Sequence, residues 1–282
     1  MNWIRNLCFA GFILLWFPVS LALAQTASPL PEIPQLMREV RDHQKQLDKV
    51  RENYTFTSMQ TTQDIDGKGQ VKKTEISEYE VFYVNNRQIH RLVKKDGKAL
   101  DEHEQQKETE RVTKAVEKAS QPDPPTPGQE ISLSQVLESV EVRNPRRESY
   151  RGRPTIVFDF MGRKDLKAHG MAEDASKKLQ GTVWIDEADR MVAHLDVSLN
   201  DNFHVGGGLV ANIEKGSNFH FDQSPVNGEI WLPTGAEVTM AARILLLKGI
   251  RQHFTEQDSN YQRFRVETQQ NKDAKVVAEK KP

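Results

Sequence analysis

The chain has little cysteine, no excess of charge of either sign, and one long apolar run. Its single cysteine is Cys8, so the residues after it cannot form a disulfide, a cysteine-ligated metal site or a thiol nucleophile. The formal net charge is −1 at pH 7, which provides neither a field for nucleic acid nor a polybasic patch for a membrane surface. We therefore expect a partner that is neutral or apolar, and no nucleic acid.

The long apolar run lies at the N-terminus. Arg5 precedes an apolar segment over residues 7–23, and small residues stand at the −3 and −1 positions of a boundary after Ala24. This pattern predicts a secretory signal peptide, residues 1–24, that is cleaved after Ala24. Pro18 within the run, and the lack of a basic stop-transfer cluster after it, disfavour the alternative of an uncleaved membrane anchor. The protein is expected to be periplasmic or secreted, with transient membrane contact at most.

Two segments have the period of helices. From Pro34 to Glu52, apolar residues recur at spacings of three and four, which predicts one amphipathic helix. Residues 100–120 are dense in charge and predict a mostly solvated helix. A stiff proline-rich connector at 122–128 and a short helix at 132–140 follow it. Together they predict an insertion at about 100–142.

Most of the remaining chain alternates between apolar and polar residues, as strands do. Alternation begins at Tyr54 and resumes from Glu148 to Thr268, with short turns that make consecutive strands antiparallel neighbours. Because no crossover helix is expected over 181–268, the strands of Trp184 and Trp231 should belong to one antiparallel sheet. The tail at 269–282 lacks aromatic residues and is predicted to be disordered.

One loop resembles a calcium site. Asp64, Asp66, Gly69 and Glu75 match positions 1, 3, 6 and 12 of an EF-hand loop. However, Lys68 occupies a ligand position and both flanks alternate like strands, whereas an EF-hand needs flanking helices. The segment from Asp64 to Gly69 is therefore interpreted as a hairpin turn.

No other motif predicts catalysis or a cofactor. His194, His204 and His220 stand singly in predicted strands or loops, and no spacing typical of metal ligands is present. There is also no G-x-S-x-G nucleophile turn and no phosphate-binding glycine loop. The sequence thus predicts a protein that is not an enzyme and holds no metal or cofactor.

The functional hypothesis concerns aromatic side chains on the predicted strands. A packed core is one explanation for them. The other is that the sheet curves and keeps part of this surface open as an apolar site. The candidate ligand-lining residues are Tyr54, Phe56, Tyr79, Phe158, Phe160, Trp184 and Trp231.

Three segments carry a resemblance to a known family. The run from Leu179 to Asp186 contains G-x-x-W-I-D and leads through a turn into an alternating strand. This hairpin resembles one in the LolA/LolB-like periplasmic lipoprotein-sorting family and its RseB-like relatives. The segments Gly228–Pro233 and Tyr261–Val266, and the helix that leads into the Tyr54 strand, are also similar to that family.

The resemblance implies a mainly β fold over residues 25–268: a curved antiparallel sheet forming an incomplete β-barrel, or half-barrel. An N-terminal helix and one or two inserted helices would cover its open side. It further implies a non-catalytic binding protein that holds lipid or lipoprotein acyl chains, as in outer-membrane lipoprotein sorting. The alternative is an envelope regulatory or structural protein of the RseB kind, which uses the sheet to bind a protein partner.

Overall fold

A computed structural model describes residues 29–85, 87–121, 137–165, 171–245, 248–267 and 275–278. The predicted signal peptide and the proline-rich connector at 122–128 lie outside these ranges, as does most of the predicted helix at 132–140. Among the described helices, none is both long and apolar enough to span a membrane.

The two longer helices lie where their sequence period predicts them. α1 (Ile33–Val50) has proline in its first turn, where the missing N–H is not needed. α2 (Glu102–Ser120) begins with a capping box, in which the Asp101 carboxylate accepts from the backbone N–H of Glu104 and the Glu104 side chain accepts from that of Asp101. A third short helix, α3, covers Met171–Ser176.

The strands account for most of the described chain. Three tight turns between them, Asp96-Gly97, Arg151-Gly152 and Asn227-Gly228, have positive φ at both residues, which suits two-residue hairpin turns. In chain order the strands are β1 (Tyr54–Ile65), β2 (Val71–Val84), β3 (Arg87–Lys95), β4 (Lys98–Ala99), β5 (Val140–Tyr150), β6 (Arg153–Gly162), β7 (Leu179–Asp186), β8 (Val192–Leu199), β9 (Phe203–Val205), β10 (Ala211–Ile213), β11 (Asn218–Val226), β12 (Ile230–Ile244), β13 (Lys248–Glu267) and β14 (Lys275–Ala278).

These strands form one antiparallel sheet in the order β4-β3-β2-β1-β13-β12-β11-β8-β7-β6-β5. Outside this order, β10 pairs with β12, β9 pairs with β10, and β14 pairs with β13. The first strand pairs with β13 near the other end of the chain, so the sheet is assembled by a long-range contact. In the described residues the outer strands at the two ends of this order do not pair with each other, and the sheet stays open.

The main core lies between α1 and one half of the sheet. Leu36 and Val40 of α1 are buried against Phe158 and Phe160 of β6 and Val183 of β7. We call this the helix-side face of the sheet. Leu47, near the end of α1, belongs to a second buried cluster.

Gly181 in the middle of β7 is required by close packing. A Cβ atom there would lie 1.8 Å from the carbonyl oxygen of Asp196 and 2.8 Å from Cζ of Phe160. Any larger residue would therefore displace either the backbone of β8 or the Phe160 ring. The glycine of the G-x-x-W-I-D pattern thus has a structural role.

The fold class predicted from the sequence is confirmed: the chain is mainly antiparallel β with few helices. The prediction that the Trp184 and Trp231 strands share one antiparallel sheet is also confirmed, since β7 and β12 are linked through β8 and β11. Within the tail predicted to be disordered, Lys275–Ala278 form a strand against β13.

The Asp64–Gly69 segment is a hairpin turn between β1 and β2, as predicted. Asp66 Oδ1 accepts from the backbone N–H groups of Gln70, at 2.9 Å, and Lys68, at 2.8 Å. These hydrogen bonds, the one from Gln70 first, lower the pKa of Asp66. The Asp64 side chain accepts from Gln252. Both aspartates are thus engaged within the protein.

We expect the full chain to show no specific calcium binding, because Lys68 occupies a ligand position and Asp66 closes the turn. Calorimetric titration with calcium checks this. Micromolar binding that is lost in Glu75→Gln would contradict it.

We expect Phe158→Ala to lower the free energy of unfolding by about 3–5 kcal/mol, because the ring is fully buried beneath α1. Met161→Ala is the control, since Met161 lies on the opposite face of β6 and is partly exposed; its effect should stay within about 1 kcal/mol. Urea unfolding measures both. Equal effects would indicate a hollow at Phe158 where the structure has a packed core.

Candidate functional site

The structure does not bring the seven candidate lining residues together. Phe158 and Phe160 lie beneath α1 in the main core. Tyr54 and Trp231 lie with Leu47 in the second buried cluster. All four aromatic rings are buried in the structure.

Trp231 is also held by polar contacts. Its Nε1 donates to Asp189 Oδ2 at 3.0 Å, and the guanidinium of Arg153 lies 5.4 Å from its ring centre. Arg153 pairs with both Asp189 and the buried Asp186. Trp231 therefore ties β12 to the turn between β7 and β8.

Phe56 and Tyr79 lie at a different place, where β1, β2 and β13 meet. The ring of Phe56 stacks on that of Tyr261 with centres 4.8 Å apart. A cleft of about 530 Å³ opens beside them and is lined by residues of β1, β2, β3 and β13. The register between β1 and β13 shifts at Phe56, where β13 has one extra residue, and the Phe56 ring is buried there.

Trp184 lies on the face of the sheet opposite α1. Its neighbour Val183 pairs with Phe158 on the helix-side face, and successive residues of a strand point to opposite faces. Trp184 contacts the rings of His194 and Tyr150. It therefore belongs to a different surface from the other six candidates.

A strip of partly buried apolar side chains lies beyond α1 on the helix-side face. Phe219 and Phe221 pair with Val197 and Leu195 of the main core, which fixes their face. The pairing of β11 with β12, and of β12 with β13, shows which side chains of β12 and β13 lie on this same face. We call the following set the apolar strip: Phe219, Phe221, Val238, Met240, Ile250 and Phe254.

The sequence alone does not identify the apolar strip. The alternation of Val238 and Met240 predicts a strand, but it does not tell which face α1 covers. That distinction needs the strand order, which places β12 and β13 away from the buried residues of β6 and β7.

Two carboxylates lie next to the strip on the same face. Glu256 accepts from Ser58 Oγ at 3.0 Å and from Gln60 Nε2 at 3.3 Å. Asp258 pairs with Ser58, and its Oδ1 is buried without a hydrogen-bond partner among the described residues. Burial first, and then the charge of Glu256, raise the pKa of Asp258 to about 8, although Ser58 favours the charged form. Asp258 is thus mostly protonated at neutral pH.

The Tyr261 hydroxyl beside these carboxylates is also buried and donates to the carbonyl oxygen of Pro233. Burial, followed by the charge of Asp258, raises the pKa of Tyr261. The phenol therefore stays neutral. The carboxyl group of Asp258 and the phenol of Tyr261 are two neutral polar groups beside an apolar surface.

Comparison with solved structures finds chains that align with most of this one at low identity. The chain is 11% identical to a LolA superfamily protein from Nitrosomonas europaea, with 79% of this chain and 92% of that chain covered and a TM-score of 0.33. It is 10% identical to a putative outer membrane lipoprotein-sorting protein domain from Vibrio parahaemolyticus, with coverages of 82% and 94% and a TM-score of 0.33. It is 9% identical to MucB, whose structure was solved in complex with MucA, with coverages of 78% and 94% and a TM-score of 0.23.

The resemblance to LolA-like and RseB-like proteins that the sequence predicts is thus found again among solved structures. At these identities and TM-scores the likeness does not extend to a ligand or a partner. Neither the protein-family models nor the curated proteins compared with the chain give a match.

We expect stability to fall as the pH rises from about 4 to about 8, because folded Asp258 binds a proton that the unfolded chain releases near pH 4. Asp258→Asn removes this dependence and should raise the free energy of unfolding at pH 8 by about 1–3 kcal/mol, with little change at pH 4. Denaturant unfolding at both pH values measures it.

The matched control is Asp42→Asn, since Asp42 is exposed on α1. In this control, the difference in the free energy of unfolding between pH 4 and pH 8 should equal that of the wild type. If Asp258→Asn behaves like this control, Asp258 does not hold a proton in the folded state.

Proposed function

We propose that the protein is a periplasmic or secreted, non-catalytic binding protein that holds acyl chains of lipids or lipoproteins on its apolar strip. The observation that carries the proposal is the strip itself, six apolar side chains on one face that α1 leaves partly open to solvent. The signal-peptide pattern at residues 1–24 supports the location outside the cytoplasm.

The strip suits an acyl chain better than a charged ligand. Its side chains are aromatic and aliphatic, and Asp258 beside it is mostly protonated at neutral pH. Burial of an acyl chain contributes about 0.8 kcal/mol per CH₂ group, so about eight buried methylenes contribute roughly 6 kcal/mol before the losses from ordering the ligand. Such binding needs no catalytic group and no net charge, which agrees with the near-zero charge of the chain.

The site is tested by placing a charge within the strip. We expect Met240→Asp to weaken binding of a fluorescent fatty acid by about tenfold or more, since the new carboxylate must lose water beside an apolar ligand. Met59→Asp is the matched control, because Met59 is 46% exposed and lies on the opposite face of β1. Fluorescence titration gives the dissociation constants, and circular dichroism shows whether each variant is folded.

Met59→Asp should bind the fatty acid as the wild type does. The proposal fails if the wild type binds no amphiphile, or if the two variants bind equally well. Hydrolysis of ester or peptide substrates by the wild type would separately contradict the non-catalytic part.

A second candidate function is the binding of an envelope protein partner, as in the RseB-like alternative. The observation that favours it is an exposed apolar patch at one end of the sheet, where β10 pairs with the end of β12. Leu209 and Leu245 are 66% and 65% exposed there, with Val210 and Ile244 between them. If Leu209→Asp abolishes co-purification of an envelope protein while fatty-acid binding is unchanged, the partner function is favoured.

A further inference from the structure

The face of the sheet opposite α1 carries a cluster of histidine and aspartate side chains. His194 and Asp196 are two residues apart on β8 and therefore point to the same face. The register of β8 with β11 places His220 opposite Asp196, and Asp222 opposite His194. Four polar side chains from two neighbouring strands thus meet at one point.

Three of these side chains bring one potential ligand atom each close together. His194 Nε2 lies 2.9 Å from Asp196 Oδ1, and His220 Nδ1 forms a hydrogen bond with the same oxygen. The three ligand atoms all lie within 4.8 Å of one another. Two imidazole nitrogens and one carboxylate oxygen are a ligand set that zinc and similar divalent ions accept.

The fourth side chain, Asp222, orients the ring of His194. His194 Nδ1 lies 2.9 Å from Asp222 Oδ1. Because a carboxylate only accepts, Asp222 holds a hydrogen on Nδ1, and the hydrogen that Nε2 donates to Asp196 is the one that a bound metal ion would displace. Histidines that bind metals are commonly held in this way by a carboxylate on the other ring nitrogen.

Asp222 is itself fixed by two further residues. The Tyr150 hydroxyl donates to Asp222 Oδ1, and Arg151 forms an ion pair with Oδ2 at 3.0 Å. The Tyr150 ring stacks on His194 with centres 4.8 Å apart, and Trp184 contacts the same ring from β7. The position of His194 is therefore set by contacts from three other strands or turns.

We propose that His194, Asp196 and His220 bind a divalent transition-metal ion of the zinc class, with Asp222 as the positioning carboxylate. A tetrahedral ion with ligand bonds of about 2.0–2.2 Å holds its ligand atoms roughly 3.3 Å apart. The ligand atoms of the cluster therefore need only small side-chain shifts. Asp196 and His220 are partly exposed, so water has access to the fourth position.

The site is separate from the apolar strip, since it lies on the other face of the same strands. Metal binding and acyl-chain binding are therefore distinguishable in one protein preparation. Loss of one by mutation should leave the other intact.

The test uses the mature chain without a histidine tag, stripped of metal with a chelator. Calorimetric titration with zinc should show one ion per chain, and cobalt should give the visible absorption of a tetrahedral site. We expect His220→Ala to weaken zinc binding by at least 100-fold. Asp222→Asn should weaken it by about 10–100-fold, the range typical for such positioning carboxylates.

The control is His204→Ala, which removes an exposed histidine of β9 outside the cluster and should leave zinc affinity unchanged. His220→Ala replaces a partly exposed side chain, so its fold is expected to persist, and circular dichroism verifies this. Absence of stoichiometric zinc binding by the wild type would overturn the proposal, as would equal affinity of wild type, His220→Ala and Asp222→Asn.

Discussion

The structure depends on a mismatch between the width of the sheet and the length of the helix that covers it. α1 is a helix of 18 residues, and its buried side chains Leu36 and Val40 contact the strands around β6 and β7. The sheet continues through β11, β12 and β13 to β1 and β2 on the same face. Within that part, the side chains of the apolar strip on β11, β12 and β13 are only partly covered. Because exposed apolar area is unfavourable in water, the proposed acyl-chain site is placed on this partly covered strip.

The two faces of the sheet consequently differ in chemistry. On the helix-side face, burial determines the state of polar groups: Asp258 is mostly protonated at neutral pH and the Tyr261 hydroxyl stays neutral. On the opposite face, charged groups remain partly exposed and are arranged in pairs, as in the contacts of Asp222 with Tyr150 and Arg151. The helix-side face therefore suits an acyl chain, and the opposite face suits an ion.

Local sequence period predicted the elements well, because α1, β1 and β7 each bury one side of a regular structure. It did not predict which side chains would meet. The sequence pattern groups Phe158 and Trp184 as one lining, although the register places them on opposite faces. His194 and His220 were interpreted singly, because the pairing of β8 with β11 joins residues that are 26 positions apart. Strand order and register are long-range properties, and periodicity within one strand contains no information about them.

The central claim is that the partly open helix-side face holds an acyl chain in the native protein. Native mass spectrometry of protein purified from its own envelope, without detergent exchange, tests this claim most directly. The account predicts a bound species whose mass is that of a phospholipid or an acylated peptide, released on activation, at about one per chain. A single ligand-free mass that stays unchanged after incubation with phospholipid and with acylated peptide would contradict it.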